Sequence, residues 1–478
     1  MAVVVVAAVW GLMTHGTFAG SGDAAHYLIA AQSLAFDYDL DLANNYAASG
    51  ELIASEAIGP ETHALPGRGG RLRPVHDIGL PLAYAPVVAI ARPVAVTAAR
   101  VLPAPLLRRA RLDRILIFRH ITSLAMAMVT ALFALQLFEI FRRDASTPVA
   151  MGWALLVTLS PPFLSHAFIP FTEMPSALLA LWLFRLLSEP EDRPVPWFTI
   201  GLATGFLLLL HVRNISLVAV FSLWAVTRLR RTGAPRPHVV SWSIGVLTFL
   251  AARSAAMYTF WGTWLTSPHA AADLSLPLDF VINEAWIRAS GLALDQEFGL
   301  IPYAPLYLLF PAGAVALWRS TPGGRWALLL AGGYVTLIVL PYVNVHGWVG
   351  GWTPPARMIM PAVPFLALAV FASVRAASAF ARTGVWAIAG VQIAIDGVIW
   401  QWPKSLWNYA DGTSALWSGM PAVQHVLPTW HGPHPGPERF VIFLVGWLAL
   451  TALLLWYARV PRHTPRDGDP IPSADNYG

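Results

Sequence analysis

A carboxylate and an imidazole open the first polar stretch of the chain, at Asp23 and His26 in Ser21-Gly22-Asp23-Ala24-Ala25-His26. Further along, ionisable residues again stand beside long apolar runs: Glu173, His211 with Arg213, Asp295 with Glu297, His346, and Arg357. Ionisable groups at membrane depth are expensive and mark functional positions. These types suit transfer of a group away from a phosphate. A phosphate is already a good leaving group, so no general acid is needed. Its charge must be held, and an arginine fork does this with two parallel hydrogen bonds. A hydroxyl acceptor needs a carboxylate to take its proton. One Asp and two Arg residues beside a lipid-accessible cavity fit a sugar donor carried on a lipid phosphate. Each residue also has a structural role to weigh. Asp23 can cap the helix that follows it, His26 can be an exposed helix residue, Glu173 suits a helix N-terminus, and Arg357 can snorkel to lipid headgroups.

The elements that position these residues follow from composition. Of 478 residues, 56% are hydrophobic and 12% charged, against about 25% charged in soluble domains. Mean hydropathy is +0.57. So much apolar surface needs lipid as its solvent, which excludes a soluble enzyme, a disordered chain and a coiled coil. The 39 prolines and 21 tryptophans agree, because membrane helices tolerate proline and tryptophan gathers at membrane interfaces. There is no cysteine, which removes disulfides, thiolate metal sites and Cys nucleophiles. The net charge is +5, the basic residues are almost all arginine, and this fits basic cytoplasmic loops rather than nucleic acid. Walker A, HExxH, GxSxG and GxGxxG motifs are absent.

At about 20 apolar residues per crossing, spans are expected at 2–19, 115–141, 148–167, 174–188, 196–211, 213–229, 239–259, 299–318, 323–342, 358–381, 384–400 and 439–458. Residues 2–19 lack a basic n-region and read as a retained first helix. The stretch 79–102 is ambiguous, since it carries Pro81, Pro86, Pro93, Arg92 and Arg100. Charge parity decides it. Placing it along the outer surface puts Arg142 with Arg143, Arg228 with Arg230 and Arg231, Arg319 with Arg325, Arg375 with Arg382, and Arg459, Arg462 and Arg466 all inside. The cost is one anomaly, that Arg108, Arg109, Arg111 and Arg114 then fall outside. The expectation is an all-α polytopic protein of the cell membrane, inner or plasma, with about twelve transmembrane helices and both termini cytoplasmic. Residues 1–459 form one transmembrane domain. Residues 20–114 are a large first external loop with juxtamembrane helices, 24–35 being an amphipathic stretch, and 460–478 a disordered tail. The 196–229 stretch divides into two short helices meeting at His211-Val212-Arg213-Asn214. The charged residues then cluster at the outer ends of the helices and point to an externally open polar cavity.

In order along the chain, Gly22-Asp23-Ala24-Ala25-His26-Tyr27-Leu28, Asp39-Leu40-Asp41-Leu42-Ala43-Asn44-Asn45-Tyr46, His76-Asp77-Ile78-Gly79-Leu80-Pro81, Thr172-Glu173-Met174-Pro175, Asp295 through Pro305, and Gly350-Gly351-Trp352 through Arg357 resemble the C-type (GT-C) integral-membrane glycosyltransferases. That superfamily includes protein O-mannosyltransferases and lipid A aminoarabinose transferases, and the nearest likeness is to a bacterial branch of it. The resemblance covers most of the chain. It implies a helical membrane fold with juxtamembrane helices in the first loop, a polyprenyl-phosphate sugar donor, and inversion at the anomeric carbon. It assigns the catalytic base to the loop aspartate, Asp23. Family members often carry Asp-Glu there, and here Ala24 takes the place of the Glu. With Asp23 as base, Arg357 and Arg213 are the expected phosphate holders, and His26, Glu173, His211, Asp295, Glu297 and His346 the expected cavity lining. The acceptor is expected to be a lipid-linked glycan, a lipid or a protein, and nucleic acid is not an expected partner. No cofactor is specified, although the residue set admits a divalent cation. A transporter or lipid flippase would also line a cavity with charge, but transporters often show matched halves with sites near mid-bilayer. A catalytically inactive binding protein of the same fold is the other class.

Overall fold

A computed structural model describes residues 2–7, 9, 10, 22–49, 53, 58–61, 63–110, 112–233, 236–268, 271, 277–320, 322–342, 348–351, 353–377, 379–431 and 436–458. Among these residues the architecture is helical, with one two-stranded antiparallel hairpin. The first polar segment begins with α1 (Asp23–Gln32), rich in the strong helix formers Ala and Leu. It widens into a π-turn over Ser33–Asp37 and stops at Tyr38 with φ 59. Eight of its ten residues are buried, leaving only Asp23 and His26 partly open. The expected amphipathic stretch is therefore enclosed on nearly every side.

The hairpin pairs β1 (Ala64–Pro66) with β2 (Leu72–Pro74), in the register Ala64↔Pro74 and Pro66↔Leu72. Gly69 and Gly70 take positive φ in its turn, a conformation that costs glycine little. Next comes α2 (Gly79–Val101), whose buried residues Leu80, Tyr84, Val88, Ala91 and Ala95 recur every three or four positions. That stripe meets α1 and α4, and the Arg92 guanidinium lies over the Phe36 ring at 4.5 Å. A short α3 (Ala104–Ala110) leads to α4 (Arg114–Phe141), capped by the Asp113 carboxylate, which accepts from the Leu116 N–H at 2.7 Å.

The remaining long elements are α5 (Thr147–Thr158), α6 (Glu173–Leu187), α7 (Trp197–Leu210), α8 (Ile215–Arg231), α9 (Arg236–Trp261), α10 (Ala285–Leu294), α11 (Phe310–Ser320), α12 (Pro322–Tyr334), α13 (Val363–Ala376), α14 (Ala379–Gln401) and α15 (Pro437–Ala458). The tightest pairs are α7 with α9 and α11 with α13. In the second pair a Cβ at Gly313 would collide with the Ala369 carbonyl, so only glycine allows the helices to pack this closely.

Six helices among the described residues are long and apolar enough to cross a membrane: Gly79–Val101, Arg114–Phe141, Val212–Arg231, Arg236–Trp261, Arg382–Gln401 and Pro437–Trp456. Three expected spans are interrupted, and proline accounts for each break. Residues 148–167 are helical only to Thr158, with Pro161 and Pro162 following. Residues 299–318 divide into Leu300–Tyr303, a 3-10 turn at Pro305–Leu309, and α11. Residues 358–381 begin as a 3-10 turn, Arg357–Ile359, and become α-helical only at Val363, after Pro361. The break between α7 and α8 lies at His211, whose backbone is extended (φ −164, ψ 137). His346 and the tail 460–478 lie outside the described residues, as do 8 and 11–19 of the expected first span.

The two ends of the bundle differ in chemistry. At one, the C-terminal ends of α4, α6, α8 and α13 meet. Arg143 pairs with Glu189, Arg375 with Asp144 at 3.0 Å, and Arg228 donates to the carbonyls of Leu187 and Pro190 at 2.7 Å. A cavity of about 580 Å³ opens among them. The other end gathers the N-termini of α1, α6 and α8 with the turn that precedes α13.

Candidate functional site

Arg357 is the centre of that second end. Ala356 before it sits in the left-handed region (φ 58, ψ 19) and donates its N–H to the Phe298 carbonyl at 2.9 Å. A residue with a Cβ is strained there, so this hydrogen bond and the packing around it hold the turn that aims Arg357 inward. The buried guanidinium donates from Nε to Glu173 Oε1 at 2.8 Å, from Nη1 to the Gly350 carbonyl at 3.0 Å, and from Nη2 to Asp23 Oδ2. It lies 4.1 Å from the centroid of the Phe171 ring. Glu173, the first residue of α6, is 2% exposed. Its Oε1 also accepts from Arg213 Nη2 at 3.3 Å. The backbone break at His211 makes this possible: the imidazole Nδ1 accepts from the Arg213 N–H at 3.1 Å and turns that side chain toward Glu173. Two carboxylates and two guanidiniums therefore form one neutral network.

Asp23 is the outer member. It is the first residue of α1, following Gly22 in the cap position, and its carboxylate is paired with Arg357. Its Oδ1 faces His63 Nδ1 at 3.7 Å. His63 Nδ1 lies 3.0 Å from His76 Nε2. The His63 ring is stacked on His26, with centroids 3.7 Å apart and planes within 12°. His26 Nδ1 is 2.7 Å from the Tyr46 hydroxyl. Burial alone would raise the Asp23 pKa, but the Arg357 guanidinium and then His76 hold the carboxyl well below its ordinary range. Burial, followed by the neighbouring His63, pushes His26 down to about 3, so it is neutral at physiological pH.

The hairpin delivers the two outer histidines. Val75 donates to the His63 carbonyl at 3.1 Å, closing the ladder with His63 and His76 at its open end. Asp77 then anchors this corner to the bundle. It accepts from Arg253 Nε at 2.8 Å and from the Val212 N–H at 2.7 Å, beside the His211 break. Burial raises the Asp77 pKa against the pull of Arg253.

Asp23, His26, Glu173, His211, Arg213 and Arg357 are thus brought together. Asp295 and Glu297 are not. Among the described residues, no hydrogen bond or ion pair joins them to this network. Asp295 Oδ1 accepts from the N–H groups of Glu297 (2.8 Å) and Phe298 (3.1 Å), and Oδ2 from Trp430 (2.9 Å). It clamps a turn, and burial raises it to about 6 against those donors. Glu297 accepts from Gly412 N–H at 2.9 Å and is fully buried. Burial and the nearby Asp295 charge raise it to about 8. His431 lies 3.8 Å from it. These residues make a second hydrogen-bonded cluster, tied to the first through the Ala356–Phe298 bond. Both guanidiniums of the network face carboxylates. Sequence reasoning missed His63 and the pairing of Asp77 with Arg253. The signal for the first was present in Leu65-Pro66-Gly67-Arg68-Gly69-Gly70-Arg71-Leu72, a glycine turn between short apolar runs flanked by histidines. Two sets of groups come close enough to share a cation, Asp23 with His63 and His76, and Asp295 with Glu297 and His431.

Fold and site together define a helical membrane protein with a charged network at one end of its bundle. No protein-family model matches the chain, and neither a curated protein nor a solved structure matches it significantly.

Proposed function

We propose that the protein is an inverting glycosyltransferase of the cell membrane. It moves a sugar from a polyprenyl-phosphate donor to an acceptor hydroxyl at the external face, the acceptor being a lipid-linked glycan, a lipid or a protein. The observation that carries this reading is the sharing of one buried guanidinium, Arg357, between Asp23 and Glu173. An arriving phosphate competes for that fork and takes the place of a carboxylate on Arg357, with Arg213 as second cation. Asp23, released from its ion pair, becomes a stronger base. The acceptor oxygen attacks the anomeric carbon opposite the phosphate. A carbon–oxygen bond forms as the bond to the phosphate oxygen breaks, the electron pair leaves on the phosphate, and the hydroxyl proton passes to Asp23. Configuration inverts.

The proposal includes twelve crossings, with α2 lying on the outer side. Chain geometry supports this. The connection from Val101 to Arg114 contains the seven-residue α3 and spans about 34 Å at full stretch. The 28-residue α4 is about 42 Å long. The connection keeps the C-terminal end of α2 on the Arg114 side, and Asp77, two residues ahead of α2, accepts from the Val212 N–H beside the His211 break, so the N-terminal end of α2 is held at the same end of the bundle. With α2 outside, the ends of α4, α6, α8 and α13 carrying Arg142, Arg143, Arg228, Arg231 and Arg375 face the cytoplasm, as basic residues do. The test is transfer of radiolabelled sugar from a polyprenyl phosphate by purified protein in liposomes, compared with Asp23→Asn. Donor-dependent transfer by the wild type alone supports the reading, and no transfer with any donor removes it.

A further inference from the structure

The imidazoles beside Asp23 have no part in the reaction just described. We infer that Asp23, His63 and His76 form a binding site for a divalent transition metal of the zinc type. Three separate pieces of chain bring the ligand atoms together: the start of α1, the residue before β1, and the residue two past β2. His63 Nδ1 and His76 Nε2 are 3.0 Å apart, and His63 Nδ1 and Asp23 Oδ1 are 3.7 Å apart. All three ligand atoms lie within 4.8 Å of one another. Ligands bonded tetrahedrally to zinc at 2.0–2.1 Å stand about 3.3 Å from each other, a value that the two short separations bracket.

The donor set selects the metal. Two imidazoles and one carboxylate suit zinc and its neighbours, whereas magnesium and calcium take oxygen ligands. Binding needs both facing nitrogens bare, which neutral imidazoles provide by carrying their protons on the opposite nitrogens. Asp23 can serve two partners at once, since a carboxylate offers about four lone-pair positions. Oδ2 stays with Arg357 while Oδ1 turns to the metal. The surroundings also hold the ligands in place. His26 stacks on His63, Tyr46 fixes His26, and Asp77, next to His76, is locked to Arg253 and Val212. Such support around a metal site commonly governs affinity about 10–100-fold. Three protein ligands leave a fourth position for water or a phosphate oxygen.

The metal site stands or falls separately from glycosyl transfer, because binding is read without activity. Protein purified without a histidine tag and stripped with chelator is titrated with zinc and, in parallel, with magnesium. Bound metal is counted by mass spectrometry and the melting temperature followed. The expected result is one zinc per chain, a raised melting temperature with zinc, and none of this with magnesium. His63→Gln and His76→Gln should each weaken zinc binding by about tenfold or more, and the exposed His425→Gln should leave it unchanged. If the histidine variants fold poorly without metal, Asp23→Asn tests the same site from the helix side, and it too should weaken zinc. A wild type that retains no zinc overturns the proposal, leaving a hydrogen-bonded histidine pair. So does unchanged zinc binding by well-folded variants.

Discussion

Arg357 spends every face of its guanidinium: two carboxylates, one carbonyl and an aromatic ring. Lysine keeps the charge and loses the fork. Arg357→Lys should therefore weaken donor binding by about 10–100-fold, the loss of one charge-assisted hydrogen bond, and should lower the melting temperature because Asp23 or Glu173 loses its partner. Titrating donor against both proteins in liposomes measures the first effect. Equal affinities would assign Arg357 to structure alone. Glu297 carries a prediction of another kind. Its folded pKa is raised from 4.5 to about 8. Between those values the folded chain keeps a proton that the unfolded chain has lost, so stability falls as pH rises through this window. Glu297→Gln keeps an oxygen for the Gly412 N–H and removes the titration. Its melting temperature relative to wild type should climb from pH 5 to pH 9, and a constant difference would show that Glu297 is charged when folded. Asp23 has the opposite sign. Its folded pKa is depressed, so its contribution is present above about pH 4 and lost as pH falls below it.

Element by element, the legible features were those written locally. The break at His211 was readable because one continuous helix over 196–229 would have put Arg228–Arg231 on the wrong side. Glu173 was readable from its place ahead of an apolar run. His63 was not, because it is 13 residues from His76 and only the register of the hairpin brings them together. The turn that Asp295 clamps was not legible, because the N–H groups it accepts from belong partly to Trp430, 135 residues away. The role of α2 rests on where its two ends are held, the first through Asp77 and the Val212 N–H, which sequence hydropathy does not contain. On the proposed topology, α2 and both its flanks stay outside. The chain has no cysteine, so Arg68→Cys and Arg109→Cys each introduce a single label site. Both should react with an impermeant reagent added to the outside of intact cells. Position 109 labelled only from inside would make α2 a crossing and invert everything after it.

Across the whole molecule, one end is built of arginines paired with local carboxylates and carbonyls, and the other of a neutral network joining α1, α6, α8 and the turn before α13. Helices that run between these ends fix the distance between the two chemistries, and the sequence showed this as charge parity. Parity does not show that the network is closed in this conformation, because that depends on side chains 334 residues apart, Asp23 and Arg357. The central claim is that Asp23 takes a proton from an acceptor hydroxyl during transfer from a phosphate donor. Asparagine has nearly the same size and cannot take that proton, and the cap position of α1 is occupied by Gly22 rather than Asp23. The most direct measurement is single-turnover transfer of labelled sugar from a polyprenyl phosphate by wild type and Asp23→Asn, at matched expression and melting temperature. The account predicts a rate lower by about 10²–10⁴ in the variant; full turnover by Asp23→Asn contradicts it.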